Sequence, residues 1–140
     1  MTLADVNVLV AALRRDHVHH RRCLVWLETE VNSGARFGVA PSVLAGVVRI
    51  ATNPRAFATP STQDEVLAFA DTLLNAPDAV VALPGPAHWS IFASLVRATA
   101  ARGGLISDAW FAALAIEWGC TWVTLDRDYA RFKPLAVREP

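Results

Sequence analysis

Four aspartates, Asp5, Asp108, Asp126 and Asp128, stand where alternating strands and helices can gather them. Asp5 follows the short run TLA, Asp108 lies at the start of SDAWFAALAIEWG, and Asp126 and Asp128 leave the run TWVTL, whose residues favour a pleated, buried surface. Two carboxylates about 4 Å apart repel by about 4 kcal/mol at an effective dielectric of about 20. Several at one place must therefore take up protons or share a cation. Mg2+ or Mn2+ is the natural cation, because hard ions take oxygen ligands and keep several waters. A divalent ion among carboxylates activates water and clamps the oxygens of an in-line phosphoryl displacement. Each acid taken alone also has a plain structural reading: Asp5 as a strand-end turn residue, Asp108 as a helix-dipole partner, Asp126 and Asp128 as caps of the turn RDYARF. Their joint placement carries the chemistry.

The elements that must position these acids can be read along the chain. TLAD makes a very short strand, and VNVLVAALRR repeats apolar residues at helical spacing with Asn7 placed as an N-cap. HVHHRRCLVWLETEVNSG predicts a second helix closed by Asn32 to Gly34, followed by the strand RFGVA. Pro41 opens a third helix, PSVLAGVVRIATN, which Pro54 stops. Ser61 with Asp64, or Thr62 with Glu65, offers a capping box for STQDEVLAFADTLLNAP. DAVVAL is a third strand, and AHWSIFASLVRATAA a helix ended by Gly103 and Gly104. SDAWFAALAIEWG is a further helix with Asp108 in its first turn, TWVTL a fourth strand, and LAVRE offers a fifth. Strands alternating with helices of about ten residues or more predict parallel βαβ units. In such a sheet all strand C-termini share one edge, where open α/β folds keep their chemistry.

Composition narrows the function classes. At 140 residues the chain is a single domain's worth, long enough to bury roughly 68–70% of its unfolded surface. Lys+Arg 13 and Asp+Glu 13 cancel, so the bulk charge neither announces a nucleic-acid binder nor excludes one with a local basic patch. Lys133 is the single lysine, and all other cations are Arg. An apolar content of 54% suits a sheet covered on both faces, or a surface buried against a partner. The longest uncharged apolar run, Val39 to Val48, contains Pro41 and is about half a membrane span. MTLADVNVLVAALRR has no basic region before its apolar run, so no signal peptide is read. Cys23 and Cys120 make no metal spacing and no disulfide framework. The expectation is a cytoplasmic protein with no membrane association.

Nearly end to end, the chain resembles the PIN-domain ribonucleases, and among them the VapC-type toxins of toxin–antitoxin pairs. LADVNVLVAAL is similar to that family's opening strand and helix, and SDAWFAALAIEWGCTWVTLDRDYARF to its acidic helix and strand. VVRIATNPR and the closing FKPLAVREP resemble one branch of these toxins. The resemblance implies an α/β fold: one three-layer α/β/α domain over residues 1–140 with a central parallel sheet of four or five strands. It implies a Mg2+- or Mn2+-dependent endoribonuclease, a homodimer inhibited by a small VapB-type antitoxin whose C-terminal segment covers the acidic pocket. Carried over by position, Asp5 and Asp108 would be metal ligands, Asp126 a further acidic ligand and Asp128 a supporting carboxylate. Thr124 matches a hydroxyl that lines the family's pocket, and Asn7 a polar residue beyond the first acid. One departure stands out: Gly46 falls where PIN domains commonly carry a Glu, and neither Glu28 nor Glu30 is placed to replace it.

Other residues have weaker signals. RRDHVHHRR, residues 14 to 22, is a basic cluster in which Arg15 and His17 are candidates for RNA phosphate contact. His17 and His20 stand at a helical metal-binding spacing, but no carboxylate or cysteine completes a zinc set. Arg49 and Arg55 flank the end of the third helix, where they meet either phosphates or the helix C-terminus. The five tryptophans read mainly as core, and any exposed one as an interface residue. A receiver-like signalling domain would need a lysine after its last strands, and a haloacid-type phosphatase an aspartate where Asn7 stands. A non-catalytic PIN-like module that binds RNA or protein is the competing reading, suggested by Gly46.

Overall fold

Short strands rich in β-favouring residues alternate with helices throughout the computed structural model, which describes residues 1–140. The order is β1 (Thr2–Ala4), α1 (Val6–Leu13), α2 (His20–Val31), β2 (Phe37–Val39), α3 (Pro41–Ala51), α4 (Gln63–Leu74), β3 (Ala79–Val81), α5 (His88–Thr99), α6 (Gly104–Glu117), β4 (Thr121–Val123), a 3-10 turn (Arg127–Arg131) and β5 (Val137–Arg138). The strands form one parallel sheet in the order β3-β2-β1-β4-β5. Progress from β1 to β3 runs one way across the sheet and the crossover to β4 reverses it. Right-handed crossovers then place α1 to α4 on one face and α5 and α6 on the other, giving three layers. The helix contacts agree, with α1 packed on α2 and α3, α3 on α4, and α5 on α6. No helix is long and apolar enough to cross a membrane.

One residue shows how the second face is fastened. Trp122 of β4 is fully buried, stacks on Phe111 of α6 with 5.9 Å between ring centroids, and meets Tyr129 of the 3-10 turn at 5.3 Å. Ala109, Ala112, Ala113 and Ala115 are buried on α6 and let that helix lie close to the sheet. Truncating Trp122 to Ala would cost about 3–5 kcal/mol through lost transfer energy and a cavity. The aromatic wedge also fixes the turn that follows β4, and with it the acids there.

Several expected boundaries move. Asp5, not Asn7, is the N-cap of α1, its side chain accepting from the Val6 N–H at 2.6 Å. The second helix begins at His20, leaving His17 and Val18 in the turn that follows Arg14, whose extended backbone at ψ 109° ends α1. Thr62 and Glu65 are the pair that forms the capping box. Ala100, in the left-handed region at φ 51°, closes α5, and α6 already begins at Gly104, with no acid in its first turn. Asp108 therefore sits in the second turn, beyond reach of the helix-dipole role open to it from sequence. The tryptophans are not uniformly core: Trp122 is enclosed, Trp26 and Trp110 are half-buried, and Trp89 is 68% exposed.

Candidate active site

The sheet order makes a switch point between β1 and β4, whose connections leave in opposite directions and open a crevice at their C-terminal ends. The two strands are in register at Ala4 and Val123, and the Asp5 N–H donates to the Val123 carbonyl at 2.9 Å. Asp5 and the segment Thr124 to Asp126 thus emerge side by side from distant parts of the chain.

Asp5 is almost enclosed, at 5% exposure, and is held by a web of hydrogen bonds. Its Oδ1 accepts from the Val6 N–H, and its Oδ2 accepts from the Thr124 hydroxyl at 2.6 Å and from the Asn7 side-chain amide at 2.8 Å. Thr124 in turn accepts from the Asn7 amide at 3.1 Å and from the Asp126 N–H at 3.0 Å. The Asn7 carbonyl accepts from the Leu125 N–H at 3.1 Å. Asn7 is therefore a clasp between the two strand ends. Thr124 is buried and borders an open cavity with Asp126 and Arg127, and its hydroxyl is directed at Asp5.

Asp108 reaches the same place from α6. Its Oδ1 accepts from the Tyr129 hydroxyl at 3.3 Å. Asp126 caps the 3-10 turn, its Oδ1 accepting from the Asp128 N–H at 2.8 Å. The Asp128 carboxylate turns outward and pairs with Arg131 at 3.1 Å. Tyr129 carried no sequence signal beyond its aromatic side chain; its hydroxyl became visible only once the turn was folded against Asp108. Burial first, then the charges of Asp5, Asp108 and Asp126, push the Tyr129 phenol far above its ordinary range, so it stays a neutral donor. A single hydroxyl thus feels all three acids.

The electrostatics repeat that convergence. Asp5 is pushed up to about 6, mainly by burial, with the Thr124 and Val6 hydrogen bonds opposing and the charges of Asp108 and Asp126 reinforcing it. Asp108 is raised by burial, lowered by the Tyr129 hydroxyl, and raised again by Asp126 and Asp128. These are oxygen donors of the kind hard divalent ions take, in a spot where an added positive charge would relieve the strain on both. They form an open rim rather than a closed cage, since no three acids, histidines or cysteines gather as a preformed metal group. An ion that keeps most of its waters needs only one or two direct carboxylates, so the donor set fits Mg2+ or Mn2+.

The position of the usual Glu is occupied differently. A Cβ on Gly46 would lie 2.8 Å from a Val6 methyl, so α3 approaches α1 too closely there for any side chain without a shift. Glu30 is engaged at the far end of β1 by the Thr2 hydroxyl at 2.6 Å, and Glu28 is exposed on α2. Neither replaces it.

The basic candidates lie apart from the acids in every contact they make. Arg49 is exposed on the last turn of α3, and Arg55 is exposed in the loop after it, where its N–H donates to Asn53. Arg15 lines an open surface cavity with Asp16, Pro60 and Glu65. His17 accepts from the His19 N–H at 3.1 Å, while the His20 ring bonds the Ala11 carbonyl, so these histidines share no metal-binding geometry. Arg14, from the same cluster, is a structural staple: it bonds Ser61, Asp16 and the Thr59 carbonyl and lies over the Phe57 ring.

Known proteins share this architecture. The PIN domain profile matches residues 2–134. VapC ribonuclease Mb2897 of Mycobacterium bovis is 41% identical over 140 residues, covering 100% of this chain and 95% of the relative. Ribonuclease VapC31 of Mycobacterium tuberculosis is 40% identical over 141 residues, covering 100% and 99%. Among solved structures, VapBC2 from Rickettsia felis, bound to a DNA fragment from its promoter, superimposes with a TM-score of 0.69 at 16% identity over 99% of this chain and 97% of that one. FitAcB from Neisseria gonorrhoeae gives 0.60 at 18% identity over 100% and 98%. With a profile spanning nearly the whole chain and relatives that align end to end, the protein belongs to the PIN-domain family, on its VapC ribonuclease branch.

Proposed function

We propose that the chain, as a single PIN domain, is a Mg2+- or Mn2+-dependent endoribonuclease that hydrolyses RNA phosphodiesters. The observation that carries this reading is the side-by-side emergence of Asp5 and Asp126 from β1 and β4, tied through Thr124, with Asp108 linked to the same turn by the Tyr129 hydroxyl. Asp5, Asp108 and Asp126 would hold the ion. When bound, the ion lowers the pKa of a coordinated water and offsets charge building on the scissile phosphate. The chain's own residues prepare that chemistry. Thr124 and Asn7 fix one Asp5 oxygen, Tyr129 steadies Asp108, and burial raises the Asp5 carboxyl to about 6. In-line hydrolysis at this rim leaves a 5′-phosphate and a 3′-hydroxyl.

The reading extends to a VapB-type antitoxin partner, supported by the likeness to the VapBC2 and VapBC-1 structures, and to a homodimer of this chain. The competing reading, a PIN-like module that binds without cutting, took its support from Gly46. That glycine has a packing reason of its own, the close approach of Val6. Purified protein incubated with structured RNA and Mg2+, with and without chelator, decides between them on one gel. Chelator-sensitive fragments support the nuclease; intact RNA in a shifted band supports the binder.

A further inference from the structure

A rim of carboxylates repels the polyanion it is meant to cut, and an ion held by the acids is largely consumed in cancelling their own charge. Some fixed cation must face the backbone beside the scissile bond. Of the basic residues discussed above, Arg15, His17, Arg49 and Arg55 contact none of the site acids. Arg127 is 92% exposed and leans toward Glu139, while Arg138 points to Glu30. Arg131 differs from all of these. It closes the 3-10 turn, its Nε donates to the Asp128 carbonyl at 3.0 Å, and its Nη2 lies 3.1 Å from Asp128 Oδ1. Its side chain is 38% exposed, and its charge reaches Asp108.

We propose that Arg131 is a phosphate-binding residue of this site, gripping the RNA backbone next to the scissile bond, and that Asp128 is the positioning residue that aims it. The proposal rests on the endoribonuclease reading and reassigns Asp128 from ion support to guanidinium support. One of the guanidinium's five N–H donors bonds the Asp128 carbonyl and Nη2 pairs with the Asp128 carboxylate, which leaves donors for a phosphate. Arg suits the task because its planar fork can be clamped along one edge and still present donors along another, which a lysine point charge cannot do. The plain alternative is a surface pair three residues apart on a turn, adding little to stability and nothing to function.

The test uses the full chain as wild type, Arg131→Ala, Arg131→Lys and Asp128→Asn on a fluorogenic single-stranded RNA oligonucleotide in Mg2+. Arg131→Ala should raise KM about tenfold while kcat changes less than about threefold, as expected for loss of one charged phosphate contact. Arg131→Lys should recover only part of that loss, and Asp128→Asn should fall between wild type and Arg131→Ala. Binding of the same RNA to Asp5→Asn protein, with and without Arg131→Ala, is measured against salt. Removing the arginine should weaken binding and make the slope of log affinity against log salt shallower by about 0.7. An unchanged KM and salt slope overturns the proposal, as does a fall in kcat with KM intact. If the wild type cuts no RNA, the nuclease reading fails, and the binding arm still decides Arg131: a shallower slope upholds it, an equal one overturns it.

Discussion

Asp5 and Asp108 are both acids of the candidate site withdrawn at least partly from solvent, yet the molecule holds them by unlike means. Asp5 lies at the end of a central strand, nearly enclosed, with its two oxygens bonded to Val6, Asn7 and Thr124 at 2.6 to 2.8 Å. Asp108 stands on a helix, half-buried, and takes one longer bond of 3.3 Å from Tyr129. Asp126 and Asp128 ride on a short 3-10 turn. The sheet half is a fixed anchor whose geometry is bought with stability, and the helix half keeps freedom to adjust around a ligand. Pre-organisation is divided between them, since one rigid ligand suffices to locate an ion and softer ones can follow substrate.

The largest effects should come from removing either acid. Asp5→Asn and Asp108→Asn should each lower RNA cleavage by about a hundredfold or more. They should part in thermal melts: Asp5→Asn loses melting temperature because its amide nitrogen would stand against the Thr124 and Asn7 donors of the buried web, whereas Asp108→Asn hardly moves it. Equal melting temperatures would remove the anchor from the account. Next in size, Thr124→Val deletes the shortest donor to Asp5 and should cost about 1–3 kcal/mol in urea unfolding, through an underbonded buried carboxylate. An unchanged urea midpoint would show the web to be dispensable.

A pH series sharpens the same contrast. Burial pushes the Asp5 carboxyl up to about 6 in the folded protein, from an ordinary value of 3.8. Between these values the native state binds the proton more tightly than the unfolded chain, so metal-free stability should fall as pH rises through that window and level off above it. Mg2+ or Mn2+ should diminish the fall, and Asp5→Asn should abolish most of it. A metal-free melting temperature that rises across the window would contradict the burial of Asp5. The smallest stability change is expected for Tyr129→Phe, under about 1 kcal/mol because the ring keeps its packing and only one long bond goes. Mn2+ titration by calorimetry should nonetheless show weaker binding in that variant, and identical binding would separate the hydroxyl from the site.

Much of this was legible beforehand. Strands and helices alternate visibly, so the parallel sheet and the shared edge for Asp5 and Asp126 follow from periodicity and turn residues. The strand order was not legible, because nothing local to TWVTL says that it pairs with TLA rather than with an outer strand; long-range pairing decides that. Asp5 as N-cap was missed in favour of Asn7, since both residue types cap well and only the register of α1 separates them. Helix α6 starts earlier than expected because two glycines, read as a terminator, also admit a helix start, with Gly103 at φ 56° before the first turn. Tyr129 and Arg131 were hidden for a related reason. Their roles depend on how a five-residue turn folds back over α6, which side-chain type alone does not encode.

The contact between Gly46 and Val6 also bears on how such a site can change over generations. With a methyl 2.8 Å from where a Cβ would stand, restoring an acid at residue 46 is unfavourable until residue 6 shrinks, and shrinking residue 6 first leaves a gap beside the anchor acid. The two positions are therefore bound to alter together, as Gly46→Glu paired with Val6→Ala. Lineages that have left one arrangement face a barrier to returning by single replacements.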